Sequence, residues 1–183
     1  MSENTFGKIH VYTGDGKGKT TAALGLAIRA LGNNKKIAII YFDKGGDFYN
    51  ERKVLDQLIG NNFQYFVTGQ QRFDPLKKVF RFGVEAEDKA EALRGLNIIE
   101  RLFNEATVDL LILDEINPAI HLGLVELEMF LKILEKRPSQ IELILTGRNA
   151  TPQVLAKADL ITEMKEVKHY FNEGLKAREG IEY

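Results

Sequence analysis

At 183 residues the chain has the length of about one domain and buries roughly 70% of the surface it would expose unfolded, so it needs no covalent staple. It contains no cysteine, which excludes disulfides, and its 25 Lys plus Arg against 26 Asp plus Glu speak against a uniformly basic nucleic-acid surface. A hydrophobic share of 44% with 28% charged residues excludes disorder as the main state. No apolar run approaches the roughly 18 residues of a membrane helix. The polar stretch from Met1 to Lys8 has no apolar signal core, so the expectation is a cytoplasmic protein with neither a membrane nor a nucleic acid as partner.

Ile9–Thr13 reads as a strand, followed at once by a glycine-rich turn. Thr20–Leu31 reads as a helix with Leu24, Ala27, Ile28 and Leu31 on one face, stopped by Gly32-Asn33-Asn34. The unbroken apolar run Ile37–Phe42 has the character of a strand covered on both faces. Glu51–Ile59 is expected as a short helix, Phe63–Val67 as a third strand, and residues 69–84, with Pro75 among them, as irregular. Glu85–Asn104 reads as a long helix carrying Ala92, Leu96, Ile99 and Phe103 on one side. Val108–Leu113 is expected as a fourth strand, Leu122–Glu135 as a helix, and Ile141–Leu145 as a fifth strand. Thr151 caps a helix that has Pro152 at its first position, and Leu160–Thr162 precedes a polar tail. Strand–helix alternation with apolar strands predicts an α/β fold, a mostly parallel sheet with helices on both faces. No linker or repeat divides residues 1–183. In such sheets ligands gather at the carboxyl ends of the strands.

The turn after the first strand is Thr13-Gly14-Asp15-Gly16-Lys17-Gly18-Lys19-Thr20-Thr21. A phosphate-binding loop belongs between a strand and a helix, as here. Glycines at 14, 16 and 18 let backbone N–H groups turn inward, and the helix N-terminus adds donors and partial positive charge. Lys19 can reach the terminal phosphates and the Thr20 hydroxyl can bind Mg2+. The strict pattern wants glycine where this chain has Thr13, but the strand and helix on either side are right. A dinucleotide fingerprint is excluded, because its third glycine would fall at Lys19. The expected class is a three-layer P-loop NTPase-like (RecA-like) fold.

Val108–Leu113 runs into Asp114-Glu115. Beside a phosphate loop such an acidic pair holds Mg2+ directly or through water. Neighbours on a strand point to opposite faces, so one carboxylate is expected nearer the metal, and the sequence leaves open which. Lys44 follows the second strand, where it either reaches a ligand or sits in an ordinary turn. Arg148 follows the fifth, where it either grips a phosphate or lies on the surface. Phe73, Phe80 and Phe82 either cover a flat ligand or pack beneath their loop. His10, His121 and His169 lack metal-ligand spacing, and no serine or cysteine nucleophile motif is present.

In combination these motifs are more specific than any one of them. The segment from Val11 to Ala23, Leu113-Asp114-Glu115 and Leu145-Thr146-Gly147-Arg148 resemble the phosphate-loop type of ATP:corrinoid adenosyltransferase. So does the tail: Ala158-Asp159-Leu160, Val167-Lys168-His169-Tyr170-Phe171, Gly174, Ala177 and Gly180-Ile181-Glu182-Tyr183. The likeness runs from Gly7 to Tyr183 and is weakest between Gly69 and Gly83. It implies that a reduced cob(I) corrinoid attacks the 5′ carbon of ATP and that triphosphate leaves, with ATP reversed relative to ordinary phosphate-loop enzymes. It implies that Gly14 to Thr20 grip the triphosphate, Lys19 neutralises it, and Thr20 with Glu115 holds Mg2+, Asp114 being a co-ligand or one step removed. Because the cobalt is the nucleophile, no protein base is required. The implied assembly is a homodimer, served by an electron donor such as a flavoprotein.

Family members ease the reduction of cob(II) by displacing the corrinoid's lower axial ligand with bulky hydrophobic side chains, commonly two aromatics two residues apart after Thr68-Gly69. This chain has Gln70, Gln71 and Arg72 there, then Phe73. Either Phe73 or Phe82 takes the wedge role, or the corrinoid side is altered or binds a different corrinoid. Two alternatives remain open from the sequence: another phosphate-loop kinase or ATPase, which would make ADP, and an ATP-binding module without turnover.

Overall fold

Apolar and aromatic side chains at six consecutive buried positions, Ile37–Phe42 (β2), leave that strand with water on neither face. The computed structural model describes residues 7–47, 49–58, 60, 62–71, 73–74, 79–81 and 83–183, with the backbone alone at 73, 74, 79 and 80. The further strands are β1 (Ile9–Thr13), β3 (Phe63–Thr68), β4 (Phe73–Asp74), β5 (Val79–Phe80), β6 (Leu110–Asp114), β7 (Glu142–Thr146) and β8 (Leu160–Glu163). The helices are α1 (Lys19–Leu31), α2 (Glu51–Leu58), α3 (Ala86–Glu105), α4 (Ile116–His121), α5 (Leu127–Glu135) and α6 (Pro152–Leu155). A 3-10 turn follows at Tyr170–Glu173.

The main sheet has six strands in the order β3-β2-β6-β7-β1-β8, and every pairing in it is parallel. The strand period of two divides the core between its faces. Ile37, Ile39 and Tyr41 meet Ala23 and Ala27 of α1 and Leu55 of α2. Ala38, Ile40 and Phe42 belong to the opposite cluster, with Leu96 and Ile99 of α3 and Phe130 of α5. This is the expected three-layer α/β architecture of the P-loop NTPase-like class. The parallel connections bring every strand's carboxyl end to one edge of the sheet, which is what gathers the loops after β1, β2, β6 and β7.

Three expectations are corrected. The inward face of α1 is Lys19, Ala23 and Ala27, whereas Ile28 is 63% exposed; the small alanines let the helix lie close to the sheet. The helix expected over 122–135 is preceded by α4, with Gly123 at φ +72 in the turn between α4 and α5. Pro118 lies within the first turn of α4, where its missing N–H has no intrahelical partner to lose. The segment 69–84 is not wholly irregular, since β4 and β5 pair antiparallel, Phe73 opposite Phe80.

α3 carries the inward stripe expected of it: Ala92, Leu96, Ile99 and Phe103 are all buried. Its start is fixed by a capping box between Glu85 and Asp88, and Arg81 grips Asp88 with two hydrogen bonds at 2.9 and 2.7 Å.

Candidate active site

Among the described residues, the carboxyl edge of the sheet holds three of the five non-glycine residues at positive φ. Asp43, Glu115 and Asn149 follow β2, β6 and β7 at positive φ, while Asn34 and Ala106 close helices. Left-handed non-glycine residues cost energy and collect where geometry serves a site.

The phosphate loop begins where β1 ends. Thr13 O accepts from Met164 N at 2.8 Å, and Gly16 N donates to Met164 O at 2.7 Å. A Cβ on Gly16 would stand 2.7 Å from Met164 O and 2.8 Å from the Lys165 carbonyl, so the glycine is demanded by the chain leaving β8. Gly18, at φ +117, is the N-cap of α1. Lys19 folds back into the loop and donates to Gly14 O at 2.6 Å and Gly16 O at 2.7 Å. Burial lowers its pKa, with Glu115 opposing. Its ammonium thus lies at the centre of the ring of peptides.

Lys17, expected to grip phosphate, turns outward instead. Its Nζ donates to Tyr170 Oη at 3.2 Å, Ile181 O at 2.9 Å and Glu182 Oε1 at 2.8 Å. Asp15 is exposed, and its carbonyl accepts from Arg148 Nη2 at 3.1 Å. Arg148 therefore reaches the loop itself. Thr21 borders the same cavity.

Both carboxylates at the end of β6 face one cation. Lys44 Nζ lies 2.5 Å from Asp114 Oδ2 and 3.6 Å from Glu115 Oε1, and 3.1 Å from Thr20 Oγ1. Opposite faces were expected for adjacent strand residues, but Glu115 at φ 60, ψ 25 has left the strand conformation and turns its side chain back. Asp114, buried, also accepts from Thr146 Oγ1 at 2.7 Å and Thr20 Oγ1 at 3.3 Å. Thr146 Oγ1 in turn accepts from Glu115 N at 3.0 Å. Burial works against the Lys44 ammonium, but Asp114 and Glu115 more than offset it and hold its pKa above the usual lysine range. Burial raises the Glu115 carboxyl, with Lys44 pulling the other way. The turn reading of Lys44 is thus replaced by a place at the centre of the site. The three oxygens of Thr20, Asp114 and Glu115 converge on one cationic atom, and such hard donors suit Mg2+.

A cavity of about 460 Å³ opens over the loop, within the range of small-molecule sites. Asp15, Gly16, Lys17, Gly18, Lys19, Thr20, Thr21, Lys44, Glu115 and Arg148 border it. So do Tyr49, His121, Asn149 and His169, none of which the sequence singled out for this place. Arg52 was missed as well. Buried, it stacks between the rings of Tyr41 and Tyr49 at 4.8 and 4.7 Å. It donates to Gly46 O at 2.7 Å and Lys44 O at 2.5 Å, which fixes the turn that carries Lys44. A buried arginine beside two aromatics is a signal only once the fold brings them together. Of the two wedge candidates, Phe73 opens β4 and Phe82 lies outside the described residues.

Residues 5–183 match the family described as ATP:corrinoid adenosyltransferase BtuR/CobO/CobP. The chain is 35% identical to the Corrinoid adenosyltransferase of Escherichia coli (strain K12), over 100% of this chain and 89% of that protein. It is 34% identical to the Corrinoid adenosyltransferase CobA of Salmonella typhimurium, over 97% and 86%. With the Corrinoid adenosyltransferase of Pseudomonas aeruginosa the identity is 32%, over 97% and 84%. Likeness of this extent, reaching from before β1 to the end of the tail, does not stop at a shared loop motif, and the chain belongs to the ATP:corrinoid adenosyltransferase family.

Proposed function

We propose that this protein transfers the 5′-deoxyadenosyl group of ATP to the cobalt of a cob(I) corrinoid and releases triphosphate, in cobalamin biosynthesis or salvage. The observation that carries this reading is the loop–cation corner, a buried lysine within a ring of peptides next to a hydroxyl and two carboxylates, in a chain of this family. In the step itself the cobalt's electron pair forms the cobalt–carbon bond to C5′. The C5′–oxygen bond breaks, and its pair leaves on the triphosphate. No protein base is needed. What this chain must do is place ATP and stabilise charge on the leaving group.

The backbone of the loop from Gly14 to Thr20 holds the triphosphate, with the Lys17 side chain turned away to the tail, and Lys19 places a positive charge against it without reorganisation. Lys44 and Arg148 add cations from the neighbouring strand ends. Thr20 and Glu115 hold Mg2+, and Asp114, already bonded to Thr146, orients Thr20. Bound there, Mg2+ supplies further positive charge against the triphosphate. Positioning of the two substrates contributes up to about 7–11 kcal/mol in the best cases. The corrinoid lies toward residues 69–84, with Phe73 or Phe82 as the wedge against its lower ligand. A homodimer in the cytoplasm, supplied with electrons by a donor such as a flavoprotein, completes the reading. Among the described residues no helix is long and apolar enough to cross a membrane.

The test is an anaerobic assay with Mg2+–ATP and chemically reduced cobalamin or cobinamide. The expected result is an adenosylated corrinoid with one triphosphate per turnover. ADP and phosphate would assign the chain to ordinary phosphoryl transfer, and ATP binding without a corrinoid product would make it a binding module.

A further inference from the structure

The tail that contributes to the family likeness has no part in the chemistry described so far. Glu182 gathers it. Its Oε1 accepts from Lys17 Nζ at 2.8 Å, from Arg178 Nη2 at 3.1 Å and from the Tyr170 hydroxyl. Its Oε2 accepts from Arg178 N at 2.7 Å and Arg178 Nε at 3.2 Å. Its side chain is 15% exposed, while nearby apolar residues are not sequestered: Phe171 is 67% exposed and Ile181 57%. Apolar burial therefore does little to hold this segment, and the polar cluster is what ties it down. A second tie, Asn50 Nδ2 to Tyr183 O at 3.0 Å, reaches it from the start of α2. Between these ties, Ile181 and Glu182 border both the cavity over the loop and a neighbouring one of about 470 Å³.

We propose that Glu182 is a positioning residue for ATP: by latching Lys17 it seats the tail as a wall of the nucleotide cavity. Lys17 then acts as the anchor of that wall and not as a ligand of the triphosphate. Its ammonium has three donors, and all three are spent on Tyr170, Ile181 and Glu182. Gripping phosphate would require it to release the tail. The proposal rests on ATP being held by the loop, as above.

The test uses Glu182→Gln, Lys17→Met and the double variant of the full chain, with ATP and corrinoid kinetics measured separately. Each single variant is expected to raise the KM for ATP roughly three- to tenfold, the scale of one ordinary hydrogen bond. The corrinoid KM should stay put and kcat should fall less than about twofold, unlike a general loss of folded enzyme. The double variant should be no worse than the worse single one, because both remove the same latch. Glu182→Gln leaving the KM for ATP unchanged or lowering it, or effects that multiply in the double variant, would overturn the proposal. Tryptic cleavage after Lys176 and Arg178, followed without nucleotide, decides it independently. Faster cleavage in both single variants supports the latch; unchanged cleavage sinks it. If the wild type fails to bind ATP at all, the functional reading fails, and the cleavage result still decides whether the tail is latched.

Discussion

The two edges of the main sheet use carboxylates in different ways. At the edge where the strands begin, acids accept from backbone. Asp159 takes Ile9 N at 2.8 Å, Glu142 takes Gly7 N at 2.8 Å and Lys8 N at 2.9 Å, and Asp109 takes Lys36 N at 2.8 Å. Each ties down N–H groups at or just before the start of a strand. At the edge where the strands end, Asp114 and Glu115 face an ammonium and hydroxyls. A peptide N–H cannot leave without breaking the fold. A lysine on a four-carbon stem can swing aside and exchange for another cation. The same functional group is a fastener at one edge and an adjustable ligand at the other.

Substitutions at the two edges should separate these roles. The largest effect is expected from Lys19→Ala, which removes the cation at the centre of the loop. The kcat/KM for ATP should fall by about 100- to 1000-fold, the scale of losing one preorganised charge-stabilising group, with melting temperature little changed. Normal turnover in that variant would end the assignment of the loop. A smaller effect is expected from Glu115→Gln, which keeps the shape and removes the charge. The Mg2+ concentration for half-maximal rate should rise by about 10- to 100-fold, and a titration with Mg2+ at fixed ATP reads it. An unchanged metal requirement would move the role to Asp114. The smallest catalytic effect, with a clear effect on stability, is expected from Glu142→Ala at the opposite edge. Losing the acceptor of two backbone N–H groups should cost about 1–3 kcal/mol in urea unfolding, while the KM for ATP stays within error. A shift in that KM would mean the two edges are coupled through β7.

The phosphate loop was legible because all its parts lie within nine residues and its chemistry is written in residue type. The apolar strands were legible for the same reason, as was the helix with Ala92, Leu96, Ile99 and Phe103 inward. The acidic pair was legible as a pair, but its geometry was not. The rule that neighbours on a strand diverge fails at Glu115, where a left-handed residue ends the strand. Lys44 and Arg148 were each balanced between a bland reading and a functional one. What settles their place is pairing across the sheet, β2 beside β6 and β7 beside β1, which no local window contains.

Composition, periodicity and spacing alone determined the α/β class and singled out the glycine-rich loop and the acidic strand end. They also carried the family resemblance, because those signals are local and survive as patterns of residue type. Only the tertiary structure decided that Lys17 faces the tail, that Gly16 is needed for the chain beyond β8, and that Arg52 fixes the turn bearing Lys44. It alone brought His121 and His169 to the cavity. Those contacts join segments remote in the chain, and their energy depends on distance and burial, which a linear order of residues does not contain.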